Sequence, residues 1–259
     1  MNRNIKNLIG FKLKETDGEI GNIEDFYFDD ITWKVRYLVV RTGNWFTGRK
    51  VLISPKSLQK MDWENEEFLV NLTQEQIKNS PDIDTEKPVS RQQEEQLYNY
   101  YPWGTYWGAD PDEHAAGIFS AMPSDLYNSE VESSSVAQNI VQLENDDRHL
   151  RSTDNVTGYK IHATDGEMGK VVDYIIDVSN WKINNLVVET GSWLDSRKVL
   201  LPVEWIKEVN WDNSLVIVNV TADEVENSQE FNMDEVLNAS YERRHHDYSD
   251  KSRKANLSE

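Results

Sequence analysis

Two short acidic motifs have a spacing that could support acid–base or calcium chemistry. Asp17 and Glu19 flank one glycine, and Asp165 and Glu167 flank another. Carboxylates so placed can act as an acid and base pair or as calcium ligands. An Asp-Gly pair between two extended runs is also the usual sequence of a tight turn, because glycine adopts a positive φ without steric strain. We therefore interpret both motifs as turns, with metal binding as the alternative.

Two basic pairs, Arg49-Lys50 and Arg197-Lys198, each follow a loop that carries a tryptophan. Guanidinium and ammonium groups at such positions can contact an anion or an acidic partner. They can equally pair with acids on a neighbouring strand, a contact worth only about 0–1 kcal/mol at a surface. Both interpretations stay open, and the four residues are candidates for partner binding.

Aspartates recur along one predicted strand of each half of the chain. Stripes of this kind face solvent, pair with nearby basic residues, or more rarely hold a metal or relay protons. The basic pairs described above are the nearest candidates as ion-pair partners. The stripes consist of Asp25, Asp29 and Asp30 in the first half and Asp173 and Asp177 in the second.

The other residue types used in catalysis do not form a recognisable site. The chain has no cysteine, which excludes disulfides, thiol nucleophiles and cysteine-ligated metals. It has no Gly-rich phosphate loop, no HExxH motif and no supported Ser-His-Asp order. None of the histidines has a second ligand at a metal-binding spacing. We predict a protein without catalytic residues, cofactor or metal. The histidines are His114, His149, His162, His245 and His246.

These motifs occur twice because the chain contains a repeat. A shift of 148 residues aligns it with itself without a gap, with 28 identities in the 71 pairs from Gly10/Gly158 to Ser80/Ser228. Such a match indicates two copies of one domain. The recurring tryptophans are predicted to pack in the cores or between the copies. They are Trp33, Trp63, Trp181 and Trp211.

Each copy has the pattern of short strands joined by tight turns. Aromatic and β-branched residues fill the runs 20–29, 33–42 and 50–53, as half-buried strands require. A last strand over 67–72 precedes a short helical piece over 73–79. This pattern predicts a mainly β fold with two small, closed, six-stranded barrels in tandem. Each barrel is followed by a short predicted helix, over 90–100 and 234–245.

The predicted domain boundaries follow from the repeat. Residues 1–80 form the first barrel, and residues 81–150 form a helix, an aromatic segment and an acidic linker. Residues 151–230 form the second barrel, and residues 231–259 form a C-terminal helix and tail.

The aromatic segment begins where the first copy ends. Six rings within ten residues would expose a large apolar patch if nothing covered them. They either fold back onto a barrel, or seal the joint between the barrels, or form a docking surface for a protein partner. A stacking platform for single-stranded nucleic acid would need more basic residues than this segment has. The rings are Tyr98, Tyr100, Tyr101, Trp103, Tyr106 and Trp107, of which all but Tyr98 are candidates for partner binding.

The charge and hydropathy of the chain restrict its partners. The formal net charge is −19, and residues 81–150 hold 14 acidic and only 3 basic side chains. Binding to phosphate backbones needs clustered Lys and Arg, so we predict no nucleic-acid partner. No run approaches the roughly 20 apolar residues of a spanning helix, so we predict no membrane insertion. The absence of cysteine and of an apolar N-terminal run favours a cytoplasmic location.

With these residues in view, each copy resembles the PRC-barrel domain. This family includes the cytoplasmic domain of the H-subunit of the purple-bacterial photosynthetic reaction centre and the C-terminal domain of the ribosome-maturation factor RimM. The resemblance implies a six-stranded barrel that works by binding, and it carries over no catalytic residue. It rests on Gly10 and Gly158, the motifs at 17–21 and 165–169, the aspartate pairs Asp25/Asp29 and Asp173/Asp177, the strands around 37–40 and 185–188, and the runs 51–55 and 199–202.

The whole chain also resembles a bacterial subgroup with two such barrels. Its members carry a Pro-x-Ser-Arg-x-x-Glu-Glu helix, here at 88–95, and a Tyr/Trp-rich stretch, here at 100–103. The resemblance implies a non-catalytic adaptor that binds a protein partner, with a domain-level link to the photosynthetic light reaction and electron-transfer complex assembly. The alternative is a stress-response protein that binds a small ligand or metal between the barrels. Packing of one barrel on the other, or a homo-oligomer, is expected in either case.

Overall fold

The computed structural model describes residues 1–15, 18–43, 48–81, 91–101, 103, 150–191 and 196–232. The first repeat contains β1 (Asn2–Asn4), β2 (Lys12–Glu15), β3 (Gly18–Asp29), β4 (Val35–Thr42), β5 (Lys50–Ile53), β6 (Leu58–Asp62), β7 (Glu67–Val70) and α1 (Gln74–Lys78), and α2 (Arg91–Tyr100) follows it. The second repeat contains β8 (Leu150–Ser152), α3 (Thr153–Val156), β9 (Lys160–Ala163), β10 (Gly166–Asp177), β11 (Lys182–Thr190), β12 (Arg197–Pro202), β13 (Ile206–Asn210), β14 (Leu215–Val218) and α4 (Ala222–Glu226).

The protein is mainly β, with one sheet of seven strands for each repeat. The first sheet has the order β5-β4-β3-β2-β7-β6, and the second has the matching order β12-β11-β10-β9-β14-β13. In each sheet six strands come from the repeat itself. The tandem arrangement predicted from the repeat is therefore confirmed.

The prediction that each barrel is closed is wrong for the described residues. The two end strands of the first sheet, β5 and β6, do not pair with each other, and neither do β12 and β13. A 3-10 turn joins each of these pairs of strands, at Pro55–Ser57 and Val203–Trp205. In the first repeat, Pro55 has no N–H group to donate to a ladder, so the chain turns away from β5 rather than extending it.

The seventh strand of each sheet comes from the other repeat. β1 pairs with β10 of the second repeat, and β8 pairs with β3 of the first. The two registers are equivalent under the 148-residue shift, since Asn2 lies opposite Asp177 and Leu150 lies opposite Asp29. The repeats thus exchange their N-terminal strands reciprocally, as two subunits of a strand-exchanged dimer would.

One hydrophobic core runs through both repeats. Phe28 of the first repeat lies with its ring centroid 6.0 Å from that of Tyr174 in the second. Trp181 of the second repeat stacks on Phe26 at 6.3 Å and lies 6.1 Å from Phe68, both in the first repeat. This packing confirms that recurring tryptophans serve the cores and the joint between the copies.

Two recurring glycines mark places where neighbouring strands come too close for a side chain. A Cβ added at Gly21 would lie 2.0 Å from the carbonyl oxygen of Arg41. A Cβ added at Gly169 would lie 2.4 Å from the carbonyl oxygen of Glu189, and this glycine also has a positive φ of 49°. Both contacts are with backbone atoms of a paired strand, which cannot move without disrupting the sheet.

The short helices follow the predicted pattern. Thr73 and Gln76 form a capping box at the start of α1, and Thr221 and Glu224 form the equivalent box at α4. The predicted helix over 90–100 is present as α2, while the one over 234–245 lies outside the described residues. Among the helices that the structure describes, none has the length and apolar character needed to cross a bilayer.

Candidate functional site

The joint between the repeats is organised around two equivalent aspartates, the partly buried Asp25 on β3 and the buried Asp173 on β10. Asp25 accepts hydrogen bonds from the hydroxyl of Ser152, from the hydroxyl of Thr153 at 2.6 Å and from the N–H of Asp154 at 3.0 Å. These three donors belong to the exchanged segment of the second repeat. Asp25 therefore anchors β8 and the start of α3 onto the first sheet.

Asp173 makes the equivalent contact in the other direction. It accepts a hydrogen bond from the side-chain amide of Asn4 at 2.8 Å and from the N–H of Lys6 at 3.1 Å. Burial raises the pKa of both aspartates, and the hydrogen bonds only partly offset that rise. The interpretation of these two residues as a solvent-facing stripe or as partners of the basic pairs is therefore wrong, because each one holds the strand donated by the other repeat.

Two equivalent tryptophan corners bring the backbones of the repeats into direct contact. Trp33 and Trp181 both adopt a left-handed conformation, with φ of 59° and 58°. The carbonyl of Trp33 accepts a hydrogen bond from the N–H of Ile183 at 2.7 Å, and that of Trp181 accepts one from Val35 at 2.8 Å. Bulky residues rarely adopt this conformation, so the contact across the joint stabilises it.

Beside Asp25 lies a cleft of about 530 Å³. Its walls come from the first sheet on one side and from the exchanged segment of the second repeat on the other, so it is a site between the repeats. Its apolar surface includes Ile9, Ile23 and Val39, while Asn22, Glu24, Asp25, Lys50, Ser152, Asp154 and Asn155 supply polar atoms.

An ion cluster stands at the rim of this cleft. The Arg41 guanidinium forms a salt bridge with both oxygens of Glu24, and Lys50 lies 3.4 Å from the same carboxylate. Burial alone would raise the pKa of Glu24, but the two cations outweigh it and hold that pKa below its usual value. A second cavity of about 400 Å³ adjoins the cluster and shares Asn22 and Glu24 with the cleft.

The second repeat has different side chains at the equivalent positions. Glu24 corresponds to Val172, and Arg41 corresponds to Glu189, whose carboxylate pairs with Lys170 at 3.2 Å. In the first repeat the carboxylate is thus on β3 and its cations are on β4 and β5, whereas in the second repeat the carboxylate is on β11 and the cation is on β10. The second repeat also has a small apolar cluster of its own. It consists of Ile175, Val187 and Leu200, with Val172 and Phe231 packed against them.

The recurring arginines of the basic pairs bind helix ends. The Arg49 guanidinium donates to the carbonyl oxygen of Ile77 in the last turn of α1 at 3.1 Å and to that of Ser80, just beyond the helix, at 2.6 Å. Arg197 donates to the carbonyl of Glu226, the last residue of α4. Cations stabilise helix C-termini in this way. Of the two lysines, Lys50 belongs to the ion cluster described above, and Lys198 is exposed.

The described part of the aromatic segment packs on the first repeat. Tyr101 and Trp103 are buried and stack on each other with ring centroids 4.1 Å apart. The indole N–H of Trp103 donates to the hydroxyl of Ser57 at 2.5 Å. Tyr100 stays 39% exposed, although its hydroxyl donates to the carbonyl of Gln76 at 2.8 Å. Tyr98 has no described side chain, and Tyr106 and Trp107 lie outside the described residues.

A buried carboxylate fixes the helix that leads into this segment. Glu94 on α2 is 2% exposed and accepts a hydrogen bond from the Tyr37 hydroxyl at 2.9 Å. Burial raises the pKa of Tyr101 to about 12. The described part of the segment thus folds back onto the first barrel, which was the first of the three interpretations of the aromatic rings. A role of these rings in binding a partner stays a prediction.

The described residues of the acidic turn motifs form ion pairs and a hydrogen bond close to the turns. Glu19 pairs with Lys12 at 3.2 Å and Glu167 pairs with Lys160 at 2.9 Å, both at the surface. Asp165 accepts a hydrogen bond from the N–H of Ala222 at 2.8 Å, which helps to begin α4. Asp17 lies outside the described residues.

No group of three or more potential metal ligands occurs in the part of the chain that the structure describes. His162 lies exposed on β9, and the other four histidines are outside the described residues. The aspartates Asp29 and Asp177 are held instead by turn contacts: Asp29, for example, accepts from the N–H groups of Ile31 and Thr32 and pairs with Arg36 at 3.1 Å.

The comparison with family models decides which family these repeats represent. The model of the PRC-barrel domain matches residues 2–77 and again residues 151–225, together more than half of the 259 residues. The chain belongs to the PRC-barrel family. In this tandem PRC-barrel protein, the first matched segment includes β1, and the second includes all of β8 except Leu150. A search of the curated proteins finds no match.

Sequence reasoning missed two features of the joint. The exchanged strands are three residues long, too short for alternation to reveal them. The signal that could have found the anchor was the recurrence of aspartate at 25 and 173, directly before the apolar residues 26–28 and 174–176.

Proposed function

We propose that this tandem PRC-barrel protein is a non-catalytic adaptor that presents two unlike binding faces on one rigid frame. The supporting observation is that residues shared by the two repeats form the joint, whereas residues that differ between them lie on the surface beside it. Recurring residues, such as Asp25/Asp173 and Trp33/Trp181, build the joint. Residues that differ, such as Glu24/Val172 and Arg41/Glu189, lie beside the two cavities of the first repeat and at the equivalent surface of the second.

The frame is suited to binding because its two faces cannot move independently. The repeats share one core and exchange strands, so a partner held on one face has a defined orientation relative to a partner on the other. Preorganised surfaces of this kind lose little conformational entropy on association. The charge pattern differs between the faces, which favours different partners rather than two copies of one.

The test is a comparison of captured partners between matched face-swap variants of the full chain in its native cell. One variant carries Glu24→Val and Arg41→Glu, which gives the first face the side chains of the second. The control carries Val172→Glu and Glu189→Arg, which does the reverse. The adaptor proposal predicts that each variant loses a different protein while its melting temperature stays close to that of the wild type.

Identical sets of captured proteins for wild type and both variants would contradict the proposal. The resemblance to the cytoplasmic domain of the reaction-centre H-subunit makes components of electron-transfer complexes one class of partner to look for. The variant Trp103→Ala, combined with Trp107→Ala, tests whether the aromatic segment contributes to capture.

A second candidate function is the binding of a small organic ligand in the cleft between the repeats. The cleft volume of about 530 Å³ and its mixture of apolar and polar lining residues favour this candidate. A thermal-shift screen of metabolites, quinones and divalent metals against wild type and Asn22→Leu separates it from the adaptor. A ligand of the cleft raises the melting temperature of the wild type more than that of the variant, whereas a uniformly flat screen rejects this candidate.

A further inference from the structure

The interface between the two repeats is self-complementary. β1 lies on β10 in the register that β8 adopts on β3, and each equivalent aspartate anchors the segment donated by the other repeat. The tryptophan corners repeat the same relation with backbone hydrogen bonds of 2.7 and 2.8 Å. An interface with this pseudo-two-fold symmetry has the form of an isologous dimer contact.

The contacts of this joint that the structure describes come from residues within the two repeats. The exchanged strands, the anchors and the tryptophan corners all lie within residues 2–35 and 150–183. The first repeat would therefore bind the second repeat of another copy with the same hydrogen bonds and the same buried surface. Only the covalent connection favours pairing within one chain, through the effective concentration that it provides.

Exchange between copies changes which first repeats the connection joins. Trp103 packs on the first repeat through Ser57 and Tyr37, and Leu150 lies on the same repeat, opposite Asp29. In an exchanged dimer, Trp103 stays on the first repeat of its own copy, whereas Leu150 lies on the first repeat of the other copy. The second repeat is attached to this frame through its exchanged strand and its side of the joint.

From these observations we infer that the chain binds a second copy of itself by exchanging repeats, so that the first repeat of each copy pairs with the second repeat of the other. The product is a closed dimer with two joints, each identical to the joint described above. No surface residue needs to be buried anew. This inference concerns self-association and does not depend on the adaptor proposal.

Cysteine cross-linking tests the exchange directly, because the chain has no cysteine of its own. One full-length variant carries Asn2→Cys and another carries Asp177→Cys, residues that lie opposite each other in the β1–β10 pair. The two variants are unfolded in denaturant, mixed, refolded together over a series of protein concentrations, and oxidised. A disulfide between them requires β1 of one copy to lie on β10 of the other.

The expected result is a covalent species of twice the chain mass whose yield rises with protein concentration. The matched control mixes Lys60→Cys with Glu208→Cys, two exposed positions that are also equivalent in the repeats but lie on β6 and β13, away from the joint. We expect about tenfold more cross-linked product from the joint pair than from this control at the highest concentration, since only the joint holds its thiols together.

Two further variants verify that the thiols at the joint are competent and that the protein folds. Asn2→Cys and Asp177→Cys combined in one chain should form an internal disulfide at low concentration, seen as faster migration on a non-reducing gel. The pair Leu150→Cys and Asp29→Cys should reproduce the mixed dimer at the equivalent contact. If the internal disulfide forms while the mixed pairs give no more product than the control at every concentration, exchange between copies does not occur and the inference is wrong.

Discussion

The two repeats share a frame but differ in how they cover their outer sheet faces. In the first repeat the small Ser57 leaves room for Trp103, which enters from the following segment and contacts Tyr37. In the second repeat the position of Ser57 is taken by Trp205, and that of Tyr37 by Asn185. The first repeat therefore has the smaller side chain at the first of these positions and the larger side chain at the second. The duplicated domain has thus kept its joint and diverged in what covers it.

The largest expected effect on stability comes from removing the indole ring of Trp103, which the following segment packs onto the first repeat. Trp103→Ala loses the stack on Tyr101 and the hydrogen bond to Ser57, and should lower the free energy of unfolding by about 3–5 kcal/mol. Chemical denaturation monitored by fluorescence measures this value. Trp205→Ala is the matched change in the second repeat. If Trp103→Ala costs less than about 1 kcal/mol, the segment does not complete the first sheet.

Adding a methyl group where two strands approach closely should lower stability almost as much as Trp103→Ala, and by a similar amount in each repeat. Gly21→Ala brings Cβ against a backbone oxygen, as does Gly169→Ala, so we expect a loss of about 3 kcal/mol or more in each. Gly10→Ala is the control, because its Cβ meets nothing within 4 Å and only the positive φ is strained. Equal effects of Gly10→Ala and Gly21→Ala in thermal melts would show that the close approach is relieved by movement.

Removing an anchoring aspartate should cost less, and more for the first repeat than for the second. Asp25→Ala leaves the hydroxyls of the buried Ser152 and Thr153 and the exposed N–H of Asp154 without this acceptor, and we expect a loss of about 2–3 kcal/mol. Asp173→Ala leaves fewer donors of the exchanged segment unpaired. Hydrogen exchange should show faster opening of β8 in the first variant and of β1 in the second. Protection lost uniformly over both strands would contradict separate anchoring.

Asp25 and Asp173 should also contribute to the pH dependence of the free energy of unfolding. Their pKa values are raised in the folded protein, so the folded state binds more protons than the unfolded state between the raised pKa and the ordinary value near 3.8. Their contribution to stability is therefore largest below that ordinary value and falls as the pH rises through the folded pKa. The double variant Asp25→Asn and Asp173→Asn should lose this dependence in denaturation curves between pH 4 and pH 7, an interval chosen around the usual carboxylate range. A slope that is unchanged in the variant would show that other groups produce it.

The helix-binding arginines should show a smaller difference between the repeats. Arg49→Ala removes bonds to two carbonyls and a hydroxyl, all partly buried, with an expected loss of about 1–2 kcal/mol. Arg197→Ala removes one exposed bond and should cost about 1 kcal/mol or less. Thermal unfolding of the two variants side by side checks the order. The reverse order would mean that Arg197 has partners beyond the carbonyl of Glu226.

The smallest effect is expected at the recurring surface pairs. Glu19→Gln and Glu167→Gln break ion pairs with Lys12 and Lys160 whose side chains are about half exposed or more. Water and salt screen such pairs, so neither variant should change the melting temperature measurably. A clear shift in one repeat only would identify a further difference between the two faces.

Much of this fold follows from local sequence. Alternating apolar residues and Asp-Gly turns predict β3, β4 and β5 with their counterparts, and the short helical piece predicted over 73–79 is present as α1. The strand β6 escapes prediction because Leu58–Asp62 has no clear alternation and follows a 3-10 turn. The role of Asp25 escapes as well, since its donors are more than 120 residues away in the chain.

The amino-acid order alone establishes that there are two copies, where most of their strands lie and which glycines, tryptophans and arginines recur. The folded structure was needed to show that the copies exchange strands, that Asp25 and Asp173 anchor the exchange, and that Trp103 completes the first sheet. The physical reason is the range of the interactions. Turns and strand periodicity depend on residues a few positions apart, whereas the joint depends on burial and hydrogen bonds between segments that meet only when both copies have folded.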